Sequence, residues 1–159
     1  MSACTLDLAA LALSIKDWGR ELGFAHVGIA GVDLGEHEHH LQRWLEAGYQ
    51  GEMEYLGAHG SKRAHPDQLI PGTVRVVSLR MDYLPGHTQM AQRLAQPEKA
   101  YVSRYALGRD YHKLVRKRVQ HLADRIQEDI GPFGYRAFVD SAPVLEKAIA
   151  EQAGLGWIG

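Results

Sequence analysis

The chain has 159 residues, of which 45% are hydrophobic and 23% charged, with a net charge of −1. This composition is typical of one folded domain rather than a disordered or fibrous chain, and no apolar run approaches the ~20 residues of a membrane span. The single cysteine, Cys4, excludes an internal disulfide and any iron–sulfur cluster or cysteine-based zinc site built by this chain alone. Such cysteine usage favours a reducing, cytoplasmic location.

Apolar residues at helical spacing predict helices, and short apolar runs between turns predict strands. In the first half of the chain we predict a helix capped by Thr5 and stopped by Gly23, a strand at 26–32, a helix ending at Gly48 and a strand at 73–83. An irregular or weakly helical stretch at 84–100 and a strand at 101–107 follow. The last predicted elements are a helix from the cap Asp110 to about Ile130, a strand at 135–139 and a helix at 143–153. Alternating strands and helices predict an α/β or mixed α+β fold, with one sheet of about four to five strands flanked by helices.

Positive charge is concentrated in one segment. Residues 98–125 have a balance of +5, whereas the segments before and after them are each at −3. Basic residues interleaved with Tyr105 and Tyr111 suit phosphate contact and ring stacking, but a solvated helix face explains them equally well. The candidate RNA contacts are Lys113, Arg116, Lys117 and Arg118.

Asp140 ends a predicted strand, where α/β sheets tend to bind ligands. It also precedes a helix that contains Pro143 near its start, and an aspartate there often caps the helix. The pattern alone favours the cap.

Two motifs in the chain match known patterns incompletely. GLGWIG at 154–159 fits G-x-G-x-x-G, but a helix precedes it and nothing follows, so a dinucleotide site is rejected. Asp110-Tyr111-His112 begins like D-x-H-x-x-G, in which the histidine binds the cobalt of a corrinoid. Val115 stands at the sixth position and Asp110 is explained as a helix cap, so the motif does not predict a bond from His112 to cobalt.

The segments SRYALGRDYHKLVRK and FVDSAPVLEKAIAEQAGLGWIG resemble the epoxyqueuosine reductases, which depend on cobalamin and iron–sulfur clusters and finish the queuosine modification of tRNA. The segments GFAHVGIA, WLEAGYQGEMEYL, KRAHPDQLIPGTVRVVSL and MDYLP agree, so the resemblance covers essentially all 159 residues.

The resemblance implies a two-electron reductive removal of the epoxide oxygen of epoxyqueuosine at the tRNA wobble position. Low-potential cobalamin, reduced through two 4Fe–4S clusters, supplies the electrons in this family. The family's cluster cysteines lie in a C-terminal ferredoxin-like domain and are not in this chain. We therefore expect residues 1–159 to be one nitroreductase-like, corrinoid-binding domain truncated before that domain, and unable to turn over alone.

The resemblance also implies roles for single residues. The family's proton donor matches Asp140, and its cobalamin is bound without a protein histidine on the cobalt. A carboxylic acid is suited to the role because the departing epoxide oxygen must be protonated. The implied corrinoid contacts are Arg63, Ser103, Arg104, Tyr105 and Gly108, although some members have cysteine at the position of Ser103.

Two alternatives to this function remain at the level of sequence. One is a related corrinoid and iron–sulfur reductase acting on another small molecule, such as a reductive dehalogenase. The other is a non-enzymatic RNA-binding module in which the basic segment is the functional part. The expected partner is tRNA carrying epoxyqueuosine, with no membrane involved.

Overall fold

A computed structural model describes residues 6–84 and 89–157 of the chain. The helices and strands are α1 (Leu8–Glu21), β1 (His26–Ala30), α2 (Glu36–Glu46), α3 (Pro66–Leu69), β2 (Val76–Arg80), α4 (Met90–Leu94), α5 (Tyr111–Ile130) and α6 (Glu146–Gln152), with short 3₁₀ helices at Glu54–Leu56, Gly60–Arg63 and Arg104–Ala106. In these two ranges no helix combines the length and apolarity needed to cross a bilayer.

The two strands form an antiparallel pair at the centre of the fold. Gly28 lies opposite Ser78, and the register runs from His26 opposite Arg80 to Ala30 opposite Val76. Because side chains alternate along a strand, the two faces of this sheet present different residues to the helices.

One face of the sheet packs against α1 and α5. Ile15 of α1 and Leu122 and Ile126 of α5 form a buried cluster, against which Val27 and Leu79 of the sheet pack. Arg125 lies over the ring of Trp18, with 5.0 Å between the guanidinium carbon and the ring centroid, and also pairs with Glu21. The long helix α5 is therefore attached to the sheet and to α1 along its C-terminal half.

The opposite face packs against α6. Ala30, Ala148 and Ile149 belong to a second buried cluster, together with Leu34 and Ala64. The sheet thus lies between two helical layers, as expected for a mixed α/β arrangement.

The prediction for α5 is confirmed and that for α1 is confirmed except for its cap. Asp110 caps α5 by accepting a hydrogen bond from the backbone N–H of His112 at 3.0 Å. The cap of α1 is Asp7, whose carboxylate accepts from the N–H groups of Ala9 and Ala10. Thr5 lies outside the described residues.

The predicted strand at 101–107 is wrong. This stretch contains the 3₁₀ helix Arg104–Ala106, and its backbone bonds are local: the N–H of Ala106 donates to the carbonyl of Ser103, and that of Leu107 to Arg104. Aromatic and apolar content suggested a strand, but Tyr105 and Leu107 are both exposed, so no buried face alternates with a solvated one.

The predicted strand at 135–139 is also wrong. This part of the chain bonds to side chains of α5 and not to a neighbouring strand. The amide of Gln127 donates to the carbonyl of Phe133, just before the segment, and the amide of Gln120 donates to the hydroxyl of Tyr135. The sheet within the described residues accordingly has two strands, not the four to five expected. Both correctly predicted strands are shorter than the ranges 26–32 and 73–83.

The last helix begins later than predicted. Before α6 starts, the N–H of Leu145 donates to the carbonyl of Arg63 at 2.9 Å, so the chain docks on the 3₁₀ helix Gly60–Arg63 first. Residues 143–145 consequently lie outside the helix. The weak helical tendency predicted within 84–100 corresponds to the short α4.

Candidate functional site

Asp140 has an unusual backbone conformation. Its φ is +54°, and no other non-glycine residue in the described part of the chain has a positive φ. An L-residue in the left-handed region costs roughly 1–2 kcal/mol, so such a residue points to a functional constraint. Asp140 does not cap α6, because Leu145 occupies the cap position and no side chain bonds the helix start. The capping interpretation is therefore wrong.

The side chain of Asp140 contacts the first turn of α5. The hydroxyl of Tyr111 donates a hydrogen bond to Oδ2 of Asp140, and Nε2 of His112 lies 3.4 Å from the same oxygen. Nδ1 of His112 lies 2.8 Å from Oδ1 of Asp110, the cap of α5. We name Asp110, Tyr111, His112 and Asp140 the acid–base cluster.

The electrostatics of this cluster follow from its hydrogen bonds. The bond to Asp140 raises the pKa of Tyr111 to about 12, so its phenol keeps its proton at neutral pH. The side-chain bond with His112 lowers the pKa of Asp110, which therefore stays ionised. Partial loss of surrounding water raises the pKa of the Glu146 carboxyl, although the residue keeps exposed surface. The nearby charge of Asp140 raises this pKa further.

Aromatic rings connect the acid–base cluster to an open cleft. The ring of Tyr111 meets that of Tyr105 edge-on, 6.1 Å between centroids, and Tyr105 meets Tyr83 at 6.4 Å. Tyr83 and Tyr105 both line a cleft of about 800 Å³, together with Ser103 and Arg104. Three of the five predicted corrinoid contacts therefore line one cleft, which Tyr105 and Tyr111 connect to Asp140.

The other two predicted corrinoid contacts, Arg63 and Gly108, do not line this cleft among the described residues. Arg63 donates from its guanidinium to the carbonyl of Tyr55 at 2.6 Å and accepts at its own carbonyl from Leu145. Gly108 has φ +92°, which a side chain would disfavour, and nothing stands within 4 Å of where its Cβ would be. It leaves an open surface just before the acid–base cluster.

Two buried arginine nitrogens carry a donor with no partner in the described residues: Nε of Arg63 and Nε of Arg104. A buried N–H without an acceptor is costly, and a bound group that supplies an oxygen would remove that cost.

The four predicted RNA contacts divide into two groups. Lys113, Arg116 and Lys117 are exposed, and their spacing of three and four residues places them on one face of α5. Arg118 is half-buried: its guanidinium lies 3.7 Å from the sulfur of Met81 and packs against the backbone of Gly23. It supports the fold and is not part of the exposed basic face.

Sequence reasoning did not place three residues of the acid–base cluster next to Asp140. Asp110 was interpreted only as a helix cap, His112 only as an incomplete cobalt-binding motif, and Tyr111 only as a stacking residue. The clue available in the sequence is that three consecutive residues with acid, phenol and imidazole groups begin a helix, where side chains project toward the preceding loops.

The cluster is arranged to hold and transfer protons. It joins a carboxylic acid, a phenol that retains its proton and an imidazole oriented by a second carboxylate, a combination typical of general acid–base sites. The described residues contain no group of three or more His, Cys, Asp or Glu side chains placed to hold a metal ion. Fold and cluster together define a mixed α/β protein with an acid–base site beside an open cleft.

Comparisons with known proteins agree on one family. The family model described as "Epoxyqueuosine reductase QueG, DUF1730" matches residues 63–141. The epoxyqueuosine reductase of Pseudomonas aeruginosa is 79% identical over 153 residues, which cover 96% of this chain and 42% of that protein. That of Escherichia coli is 54% identical over 154 residues, covering 97% of this chain and 41% of that protein.

Solved structures agree in fold. The epoxyqueuosine reductase of Streptococcus thermophilus superposes with a TM-score of 0.74 at 24% identity, over 93% of this chain and 40% of that one. The chain belongs to the epoxyqueuosine reductase family, and it spans about 40% of the length of the relatives it matches.

Proposed function

We propose that this chain is the cobalamin-binding catalytic part of an epoxyqueuosine reductase, which reduces epoxyqueuosine to queuosine at the tRNA wobble position. The observation that carries the proposal is the position of Asp140, which has a left-handed backbone conformation and contacts Tyr111, whose ring in turn packs against Tyr105 of the cleft. The name and identity of the relatives support the same reaction.

The residues present fit a corrinoid. Cobalamin carries carboxamide and phosphate oxygens that accept hydrogen bonds, and the buried Nε of Arg104, which lines the cleft, lacks an acceptor among the described residues. Ser103 and Tyr105 add hydroxyl groups on the cleft, and Gly108 leaves room for close approach. Bound cobalamin would supply low-potential electrons.

The chain's own residues would control the proton. Asp140 gives a proton to the epoxide oxygen as its bond to carbon breaks, because an alkoxide is a poor leaving group without protonation. Tyr111 fixes the carboxyl by donating to Oδ2. Within the described residues Oδ1 of Asp140 has no hydrogen-bond partner, so it is available to the substrate.

Residues 1–159 would form one nitroreductase-like, corrinoid-binding domain of a longer protein. Two 4Fe–4S clusters would be held by cysteines outside this chain, since its only cysteine is Cys4. The protein would act in the cytoplasm, and the exposed face of Lys113, Arg116 and Lys117 would contact tRNA phosphates.

Asp140→Asn tests this function in a full-length protein that contains the chain. Asparagine tolerates the left-handed backbone and still accepts a hydrogen bond from Tyr111, but it cannot donate a proton to an oxygen leaving group. We expect cobalamin binding, followed by its absorption and electron paramagnetic resonance spectra, to be unchanged. Conversion of epoxyqueuosine to queuosine in tRNA, measured by nucleoside mass spectrometry, should fall by ~10²–10⁴.

Asp129→Asn is the matched control, because Asp129 is an exposed acid near the other end of α5. It should convert tRNA at the wild-type rate. A wild-type rate for Asp140→Asn would remove Asp140 from the reaction. An unperturbed cobalamin spectrum with the folded wild-type protein would refute the function itself, and turnover of a small halogenated substrate but not of tRNA would favour a dehalogenase.

A further inference from the structure

We propose that His112, held by Asp110, reloads Asp140 with a proton during the reaction. The inference rests on the proposed function and concerns the juxtaposition of the three side chains, in which His112 lies between the two carboxylates.

The stoichiometry of the reaction requires a second proton. When an epoxide oxygen leaves as water, two C–O bonds break, two O–H bonds form and a carbon–carbon double bond forms. Two electrons, from the reduced corrinoid named above, and two protons are consumed. A single carboxyl group holds one proton at a time, so Asp140 can deliver both protons only if it is reprotonated between the two transfers.

The geometry identifies the source of that proton. An ionised carboxylate only accepts hydrogen bonds, so the Nδ1 atom of His112, 2.8 Å from Asp110, is the donor in that pair. This bond orients the ring with Nε2 3.4 Å from Oδ2 of Asp140. Transfer breaks the Nε2–H bond of the imidazolium and forms an O–H bond on Asp140, leaving a neutral imidazole that keeps its Nδ1–H.

His112 can in turn be recharged from water. Its side chain is 49% exposed, whereas its two ring nitrogens face carboxylates.

The other groups around the ring do not replace it. Tyr111 stacks on the His112 ring with 4.1 Å between centroids and keeps its own proton, because its pKa is about 12. Tyr105 packs against Tyr111, Glu146 is a second carboxyl group near Asp140, and the charge of Lys113 lowers the pKa of Asp110. His112 is therefore the group placed to pass a proton to Asp140.

The test compares variants of the full-length protein in single turnover with pre-reduced enzyme. His112→Ala keeps the helix, since alanine is the best helix former, but removes the imidazole. His112→Gln keeps a hydrogen-bond donor but cannot pass on a proton. We expect both to slow conversion of epoxyqueuosine by ~10²-fold or more, the lower end of what a positioned proton donor contributes. Free imidazole should accelerate His112→Ala and leave His112→Gln slow.

His121→Ala is the matched control, because His121 is an exposed histidine on the same helix and lies outside the cluster. It should react at the wild-type rate, with or without imidazole. In the wild type the rate should fall as pH rises, because an imidazole that has lost its second proton cannot reload Asp140, and this dependence should be absent from His112→Gln.

The outcomes separate this inference from the proposed function. A wild-type rate for His112→Gln would show that the residue only positions Asp140 and would overturn the relay, as would an alanine variant that imidazole fails to accelerate. If Asp140→Asn is also at the wild-type rate, the failure lies in the assignment of Asp140. If Asp140→Asn is inactive, only the relay is wrong.

Discussion

Gly28 is the position at which a single methyl group should disturb the fold beneath the site. Gly28 lies on β1 and faces the end of α6. A Cβ at this position would stand 2.6 Å from the carbonyl oxygen of Ala153 and 2.7 Å from its Cβ. Both distances are far inside ordinary contact, and two of the three nearest atoms belong to the backbone, which cannot move aside cheaply. Overpacking of this kind costs about 1–3 kcal/mol.

Hydrogen exchange measured by mass spectrometry would locate the effect of Gly28→Ala in the full-length protein. A loss of 1–3 kcal/mol in local stability corresponds to exchange that is roughly 5- to 150-fold faster. We expect this acceleration in peptides from β1 and α6, because those two elements are pushed apart. Peptides from the N-terminal half of α1 should be less affected.

Gly31→Ala is the control for the change in backbone freedom. No heavy atom lies within 4 Å of the Cβ position at Gly31, so alanine there should be neutral or slightly stabilising. Equal exchange in the Gly28→Ala protein and the wild type would show that the close contact with Ala153 does not constrain how α6 packs on β1.

Two further predictions concern charge. Ultraviolet titration should show Tyr111 ionising near its raised pKa of about 12, and Asp140→Asn should return it toward about 10. Because the folded pKa is the higher one, the stability from this bond is fully present below pH about 10 and lost as pH rises through about 12, as alkaline unfolding of Tyr111→Phe against the wild type would reveal. Separately, Lys113→Glu and Lys117→Glu should each lower the salt dependence of tRNA binding by about 0.7–0.9 in log–log slope. Arg43→Glu on α2, with the same charge change, should not; equal slopes would return the basic face to a solvated helix surface.

Local sequence patterns predicted the elements that pack along a stripe or a buried face. Helix α5 was predicted almost to the residue because Leu122 and Ile126 repeat at helical spacing and Asp110 caps it. Strands β1 and β2 were found from their apolar runs. The strands at 101–107 and 135–139 were wrong because strand propensity measures suitability for a sheet, while pairing depends on a neighbouring strand that the local sequence does not specify.

The site was predicted in part. Ser103, Arg104 and Tyr105 were assigned together and do lie on one cleft. The cluster around Asp140 could not be derived from spacing, because residues 110–112 and residue 140 are 28 or more positions apart and meet only after α5 folds back along the sheet. The cap interpretation of Asp140 failed for the same reason, since the tertiary bond between Leu145 and Arg63 delays the start of α6.

The errors and the site coincide in the chain, and the coincidence has a physical cause. Both mispredicted strands lie in irregular backbone: the segment 101–107, before α5, contains the cleft residues Ser103, Arg104 and Tyr105, and the segment 135–139, after α5, leads into Asp140. Irregular backbone allows a residue in the left-handed region such as Asp140, and the first of these segments also carries the unpartnered side-chain Nε of Arg104. Local patterns are expected to fail where the fold gives up regular pairing for function, and here the failures surround the acid–base cluster.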